Sequence, residues 1–134
     1  MRVFLCGFGN FSIAIPMSSV STLALYTGSR EGCETITRGE NDGSTFISLP
    51  LLFGLGSEII KHSITLNSDN KIVLLCTEVE LETDIPDEEI YPLPKVLDGT
   101  RFYTLFSGIK FASTPVLFLD TKQLIQKAVK EMAL

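Results

Sequence analysis

Short apolar segments separated by turn-forming residues run along most of the chain. In several of them apolar and polar side chains alternate, which is the pattern of a strand with one buried face. Asn, Asp and Gly between neighbouring segments, at residues 7–10, 41–43 and 67–70, predict hairpins. The strands predicted in this way cover residues 3–5, 11–15, 20–26, 35–38, 45–49, 59–66, 71–75, 78–82, 102–106, 109–111 and 116–119.

Four stretches add detail to this strand pattern. Residues 72–75 are apolar on both faces, which predicts a central strand. In residues 78–82, Val and Leu alternate with Glu, which predicts a strand with one solvated face. Residues 50–55 fit one helical turn closed by a glycine, and residues 84–94 form a polar connection marked by prolines.

One long helix is predicted after Asp120. Its carboxylate can accept hydrogen bonds from the first free backbone N–H groups, and Gln123 three residues later completes a capping-box pattern. Apolar side chains then recur on one face at helical spacing, and lysines line the other. The apolar residues are Leu124, Ile125, Ala128, Val129 and Met132, and the lysines are Lys122, Lys127 and Lys130.

Many short strands and one terminal helix predict a mainly β protein built from small β-barrels. Barrels also remove the exposed edges that short open sheets would leave. The length of 134 residues fits one domain, or two very small lobes that share a core.

Composition narrows the classes of function. The chain has 11 basic and 16 acidic residues, a net charge of −5, which argues against nucleic acid and does not favour an anionic membrane surface. Glycines at positions 7 and 9 interrupt the first apolar stretch, which is too broken for a signal peptide or a membrane span. Cys6, Cys33 and Cys76 are far apart in sequence and predict free thiols in a reducing cytosol.

The candidate catalytic and metal-binding patterns are weak. One histidine, His62, and three scattered cysteines make a His/Cys metal site very improbable. His62 follows no pattern of a catalytic triad, so the favoured interpretation is a partly exposed structural residue. No serine lies in a Gly-x-Ser-x-Gly elbow.

Residues 7–12 imitate the start of a dinucleotide-binding fingerprint. That fingerprint needs a third glycine and a helix whose N-terminus receives the pyrophosphate. Ser12 stands at the third glycine position, and the strand-like residues 13–16 follow it. A small nucleotide-binding enzyme that uses Gly7 and Gly9 is therefore the least favoured hypothesis.

An acidic stretch covers residues 78–89. Its carboxylates could bind a hard cation, but those at 78, 80 and 82 alternate along a strand and no calcium-binding loop is present. The favoured interpretation is a solvated face that protects a sheet edge from aggregation.

Apolar side chains in the first third of the chain exceed what two short strands need for their inward faces. They are Phe4, Met17, Val20 and Leu23. Two interpretations stay open: some of them line an exposed apolar groove, or all four belong to the core.

Five segments, taken in order, resemble the CheW-like domain, an adaptor module of bacterial chemotaxis arrays. The first spans residues 3–20 and carries the family's Ala-Ile-Pro-apolar-x-x-Val signature. The others are 46–55, 72–79, 85–94, with its prolines, and 116–125, which is similar to the family's closing Leu-Leu-Leu-Asp strand and helix. The match covers nearly the whole chain, and its specificity comes from the order of the five segments.

The resemblance implies one domain over residues 1–134, made of two five-stranded SH3-like β-barrel lobes packed together with a C-terminal helix. It implies a cytoplasmic adaptor without enzymatic activity, cofactor or metal. Such domains bind the regulatory domain of a CheA-type histidine kinase through one lobe. They bind the tip of the chemoreceptor hairpin in an apolar groove between the lobes. The implied groove residues are Phe4, Met17, Val20, Leu23 and Arg38, and the kinase-binding residues stay unassigned.

The chain also departs from the family pattern. Residues 36–39 read Ile-Thr-Arg-Gly where the family has Asn-Leu-Arg-Gly, and extra residues follow at 40–44. These changes leave open whether Arg38 keeps the receptor-facing role. Serine or threonine replaces the family's acidic residues at Thr22, Ser48 and Thr77. An interaction module of another signalling system is therefore the alternative to a chemotaxis adaptor.

Overall fold

Ten strands and two α-helices lie in the residues that the computed structural model describes, which are 1–26, 34–39, 43–54, 59–94 and 103–132. The strands are β1 Arg2–Gly7, β2 Ser12–Pro16, β3 Val20–Leu25, β4 Ile36–Arg38, β5 Thr45–Ser48, β6 His62–Leu66, β7 Ile72–Cys76, β8 Glu78–Asp84, β9 Phe106–Lys110 and β10 Val116–Leu119. The helices are α1 Leu49–Leu52 and α2 Thr121–Met132, and 3₁₀ turns cover Met17–Ser19, Asp87–Glu89 and Tyr103–Leu105.

The first sheet, sheet A, has the strand order β8-β1-β2-β10-β9. The predicted hairpin at residues 7–10 joins β1 to β2, which pair antiparallel. The N–H group of Phe8 donates to the carbonyl of Phe11 (2.9 Å). Gly9 has a φ of +84°, a conformation that glycine adopts at no steric cost.

The second sheet, sheet B, has the strand order β3-β6-β7-β5-β4. The predicted hairpin pairings of β4 with β5 and of β6 with β7 are confirmed. Residues 41 and 42 of the first turn lie outside the described residues. The prediction that residues 72–75 form a central strand is also confirmed, because β7 lies in the middle of sheet B with all five residues buried.

The predicted mainly β class, the two five-stranded units and the terminal helix are confirmed. The sheets are nevertheless not closed barrels: no ladder joins β8 to β9 or β3 to β4 within the described residues. The edges of sheet A are protected in other ways. Tyr91 forms a bridge to Ile109 on the outer side of β9, and the other edge strand, β8, exposes Glu78 and Glu80, as its predicted solvated face requires.

A shared core fills the space between the two sheets. It combines side chains of sheet A, sheet B and both α-helices, and partly buried phenylalanines pack around it. Its buried members are Cys6, Ile13, Ile15, Ile47, Leu49, Leu52, Ile64, Leu66, Ile72, Leu74, Cys76, Leu105, Leu119, Leu124 and Ala128. The two sheets are thus held together by common apolar burial, which is the dominant favourable term in folding.

A second, smaller core lies on the other face of sheet A. Its buried side chains are Val3, Ala14, Ile85, Val116 and Phe118, and Leu5 and Ile90 pack against them. Residues 85 and 90 belong to the connection predicted at 84–94, which we call the 85–94 segment. This segment therefore covers the outer face of sheet A.

Helix α2 begins where the sequence predicts. Oδ1 of Asp120 accepts a hydrogen bond from the N–H group of Gln123 (3.2 Å), which confirms the N-cap. The reciprocal half of the capping box is wrong, because the N–H group of Asp120 donates to the carbonyl of Leu105 (2.8 Å). Leu124 and Ala128 are buried and Val129 is 43% exposed, while the side chain of Met132 lies outside the described residues.

Two segments differ from their predicted forms. Residues 106–110 form one continuous strand through Ser107-Gly108, where the sequence indicates a break between two segments. Gly108 is needed there because Ile90 and Tyr91 lie directly on it. The predicted turn at 50–55 is α1, with Ser48 as its N-cap, and residue 55 lies outside the described residues. None of the described helices is long and apolar enough to cross a membrane.

Candidate functional site

A short connection carries the chain from sheet A to sheet B. It consists of the 3₁₀ turn Met17–Ser19, between β2 and β3. The carbonyl of Ser19 accepts a hydrogen bond from the N–H group of Asn67 (2.7 Å), and Oγ of Ser19 accepts one from the hydroxyl of Thr121 (3.1 Å). The connection is thus fixed to sheet B and to the first turn of α2.

Strand β3 continues from this connection along an edge of sheet B. Val20, Leu23 and Leu25 lie opposite Leu66, Ile64 and His62 of β6. Alternate residues of one strand share a face, so the three β3 side chains form one line, which we call the β3 row. A register shift between Val20 and Thr22 keeps all three on the same face.

The β3 row changes from partly buried to exposed along its length. Val20 and Leu23 are half-buried and pack against the shared core. Leu25 is 77% exposed. The strand therefore presents apolar surface that continues outward from the core, which is the property expected of an apolar docking surface.

Phe4 and Met17 lie beside the start of the β3 row. Phe4 is opposite Ile15 in the β1–β2 ladder, and β1 lies against the 3₁₀ turn that contains Met17. Both side chains are half-buried, and neither belongs to a described core cluster. The structure therefore brings Phe4, Met17 and Val20 to the same crossing between the sheets, with Leu23 farther along the row.

Arg38 lies elsewhere. It is exposed on β4, at the edge of sheet B opposite to β3. It lines a cavity of about 310 Å³ together with Lys71 of sheet B and Val129 of α2. Arg38 and the β3 row therefore lie on opposite edge strands of sheet B.

The shared core contains two thiols and borders a histidine. The thiol of Cys6 donates a hydrogen bond to Sγ of Cys76 (3.4 Å). This contact and burial raise the pKa of the Cys76 thiol well above its ordinary value. His62 lies opposite Cys76 in the β6–β7 ladder, and its buried Nδ1 has no hydrogen-bond partner among the described residues. Cys33 lies outside the described residues.

The acidic stretch is a solvated surface where it is described. Asp84 and Asp87 contact the Met1 ammonium group at 3.3 and 3.6 Å. Glu89 pairs with Lys110 (3.4 Å). Across the described parts of the chain, no three His, Cys, Asp or Glu side chains come together as a possible metal site.

The glycines at positions 7 and 9 do not form a nucleotide-binding turn. They belong to the antiparallel hairpin of β1 and β2, and the chain enters a strand after Ser12. A dinucleotide fingerprint needs a helix at that point, because its free N–H groups bind the pyrophosphate. The interpretation of residues 7–12 as the start of a dinucleotide-binding fingerprint is therefore wrong.

Three features of possible functional value escape the sequence analysis. Leu25 extends the β3 row, and its strand period with Leu23 is the signal that could have revealed it. Tyr91 and Phe111 form an exposed aromatic pair with ring centroids 5.9 Å apart. The contact of Cys6 with Cys76 joins residues 70 positions apart, and no sequence spacing predicts it.

No family model matches the chain, and no curated protein matches it by sequence. Among solved structures, the chain is similar to the crystal structure of the scaffolding protein TtCheW from Thermoanaerobacter tengcongensis. The TM-score is 0.65 at 18% sequence identity, and the match covers 89% of this chain and 88% of that chain. This likeness shows the fold: the chain has a CheW-like fold, which confirms the fold implied by the sequence resemblance.

Proposed function

We propose that the chain is a non-enzymatic adaptor of the CheW type, a single domain over residues 1–134 that acts in the cytoplasm. It links the cytoplasmic tip of a chemoreceptor to the regulatory domain of a CheA-type histidine kinase. The fold supports this proposal, because the similar solved structure is that of a scaffolding protein. The mechanism is geometric: one small domain holds receptor and kinase in a fixed relation, and repetition in an array multiplies weak contacts.

The observation that carries the proposal is the β3 row beside Phe4 and Met17. Val20 and Leu23 lie at the margin of the shared core and Leu25 continues the same line into solvent. An amphipathic helix can lay its apolar face along such a line, with anchors at the spacing of successive helical turns. The receptor tip is a helical hairpin in the family that the sequence resembles, so it is the occupant we assign to this surface.

Arg38 lies apart from the β3 row of the proposed groove. Its position on β4 places it beside α2 and Lys71, and not beside the β3 row. A receptor that contacts both regions must extend across sheet B. An Arg38→Ala change therefore tests how far the receptor contact reaches.

The main test introduces a charge into the β3 row. Val20→Asp places an unpaired carboxylate in an apolar contact, and should weaken binding of purified receptor-tip fragments by roughly 10- to 100-fold. Because Val20 also packs against the core, Leu25→Asp supplies a second variant with little effect on folding. Thr22→Asp is the matched control, since it puts the same charge on the exposed opposite face of β3. Binding is measured by calorimetry, with thermal unfolding as the check on folding.

Two results would count against the proposal. If folded Val20→Asp and Leu25→Asp variants bind receptor fragments as tightly as the parent, the β3 row is not the receptor surface. If the parent binds neither receptor fragments nor a CheA-type regulatory domain, the chain is an interaction module of another signalling system. A pull-down from the native cytoplasm would then identify its partner.

A further inference from the structure

Two cysteines meet in the middle of the shared core. Cys6 lies on β1, an interior strand of sheet A, and Cys76 ends β7, the central strand of sheet B. Their Sγ atoms are 3.4 Å apart, and both residues are 0% exposed. Both are free thiols.

We propose that Cys6 and Cys76 form a reversible disulfide that joins the two sheets when the protein meets a peroxide oxidant. The proposal does not rest on the adaptor function. It assigns a modification site to residues that the proposed docking surface does not use.

The position of the two thiols favours this bond over other products. One thiol already donates a hydrogen bond to the other sulfur, so the two side chains point at each other. The sulfurs need to approach by about 1.4 Å to reach the disulfide bond length of about 2.05 Å. The chain leaves sheet B at Cys76 and enters β8 of sheet A at Glu78, only two residues later. Small shifts of this crossing segment can therefore supply the approach.

The oxidation is a balanced two-electron step. One thiol attacks a peroxide oxygen to give a sulfenic acid and the first water molecule. The second thiol then attacks the sulfenic sulfur, which forms the S–S bond and releases a second water molecule. In sum, two thiols are oxidised and one hydrogen peroxide is reduced to two water molecules. An added dithiol reverses the reaction by exchange.

Burial makes the oxidation of these thiols slow and dependent on local opening of the structure. The thiolate is the reactive form, and burial together with the Cys6 contact raises the pKa of Cys76 well above its ordinary value. Oxidation therefore requires local opening between the sheets that admits the peroxide. Once formed, the bond closes a loop between two cysteines that are 70 positions apart, and the loop includes all of sheet B. A cross-link over so long a loop restricts the unfolded chain and stabilises the folded state.

The test uses the Cys33→Ser variant, in which any intramolecular disulfide joins Cys6 to Cys76. The variant is treated with hydrogen peroxide and then unfolded to titrate its thiols. We expect both thiols to disappear, a mass decrease of two hydrogen atoms, and a rise in Tm on the order of 10 °C that dithiothreitol abolishes. Peptide mapping of the oxidised parent should show the same Cys6–Cys76 link.

The Cys33→Ser, Cys76→Ser double variant is the control with one thiol, and its Tm should not rise on oxidation. Free glutathione, whose thiol is fully accessible, is added to each sample, and its oxidation reports that the oxidant is active. The proposal is wrong if both thiols remain titratable while the glutathione is oxidised. It is equally wrong if the oxidised protein carries sulfinic acid, an intermolecular disulfide or, in the parent, a link to Cys33.

Discussion

In both sheets, two antiparallel ladders are followed by a parallel ladder and then by another antiparallel one. Sheet A does this in the order β8-β1-β2-β10-β9, and sheet B in the order β3-β6-β7-β5-β4. The two sheets are related by a circular permutation of the chain. In sheet A, β8, β9, β10, β1 and β2 occupy the positions that β3, β4, β5, β6 and β7 occupy in sheet B. One topology therefore occurs twice without a repeat in the sequence.

The equivalent outer faces differ in chemistry. The ladders align one row of side chains across each sheet, and the row includes Phe118 of β10 in sheet A and Phe46 of the equivalent strand β5 in sheet B. In sheet A the row is Glu80, Leu5, Ala14, Phe118 and Gly108, and in sheet B it is Thr22, Thr65, Val73, Phe46 and Thr37. The 85–94 segment covers the first row from Leu5 to Gly108 and makes it a core, while Glu80 at the end of the row is exposed. The second row is edged by threonines.

This difference shows what the repeated topology does and does not determine. Each sheet must bury the face that looks onto the shared core, because that face holds the two sheets together. The other face is free to vary. Sheet A buries it under its own chain, and sheet B edges it with threonines. The proposed docking surface, the β3 row, lies on the core-facing side of sheet B, where Leu25 extends past the shared core.

The largest effect should come from truncating Phe118, the phenylalanine of the covered row. Phe118 is 1% exposed, so Phe118→Ala should lower the free energy of unfolding by about 3–5 kcal/mol. Phe46→Ala is the matched control, because it removes the same ring from the equivalent strand. Phe46 is only half-buried, so Phe46→Ala should lower the free energy of unfolding by about 1 kcal/mol. Urea unfolding of both variants measures the difference. Equal losses would mean that the outer faces of the two sheets are equally core-like.

The sequence predicts the topology that the two sheets share better than it predicts the difference between their outer faces. Hairpin turns and the apolar strand of residues 72–75 depend on local residue types, so they are visible in the sequence. The covering of sheet A depends on the contact of the 85–94 segment with Gly108, a contact between residues distant in sequence. The glycine there resembles a turn signal, which is why the sequence indicates a break in a continuous strand.

The same limit applies to the candidate site. Phe4, Met17 and Val20 are identified by resemblance, and the structure places them at one crossing because the turn between β2 and β3 joins the sheets. Leu25 is missed although it shares the strand period of Leu23, because that period shows which face a side chain lies on and not how exposed it is. The separation of Arg38 from the β3 row is set by strand order, which hydrophobic periodicity does not contain.

A smaller effect should follow from detaching the cover of sheet A. A Cβ at Gly108 would lie 2.9 Å from Cγ2 of Ile90 and 3.0 Å from the carbonyl oxygen of Tyr91. Gly108→Ala should therefore push the 85–94 segment away from β9, at a cost of about 1–3 kcal/mol. The two 2.8 Å hydrogen bonds between Tyr91 and Ile109 would be strained, so their amides should exchange faster.

Gly7→Ala is the control for this change. Gly7 is also a strand residue of sheet A, but the nearest atom to its added Cβ is Oε2 of Glu78 at 3.8 Å, an ordinary contact. This variant should match the parent within about 0.5 kcal/mol. The 85–94 segment is not held against β9 as described if two results are found together. The Gly108→Ala and Gly7→Ala variants would have the same free energy of unfolding, and the Tyr91 amide would exchange as slowly in Gly108→Ala as in the parent.

The smallest effect concerns the helix that both sheets share. Asp120 caps α2, and Asp120→Ala should lower stability by about 1 kcal/mol, whereas Asp120→Asn keeps an acceptor oxygen and should lose less. The helix starts from β10 of sheet A, while Ala128 and Val129 line a cavity with residues of sheet B. Because Leu124 and Ala128 lie in the shared core, weakening α2 should lower the opening free energies of β2 and β7 amides equally in native-state hydrogen exchange. If exchange became faster only in β2, α2 would stabilise sheet A alone. The shared core would then be held together by direct contacts between the two sheets and not by the helix.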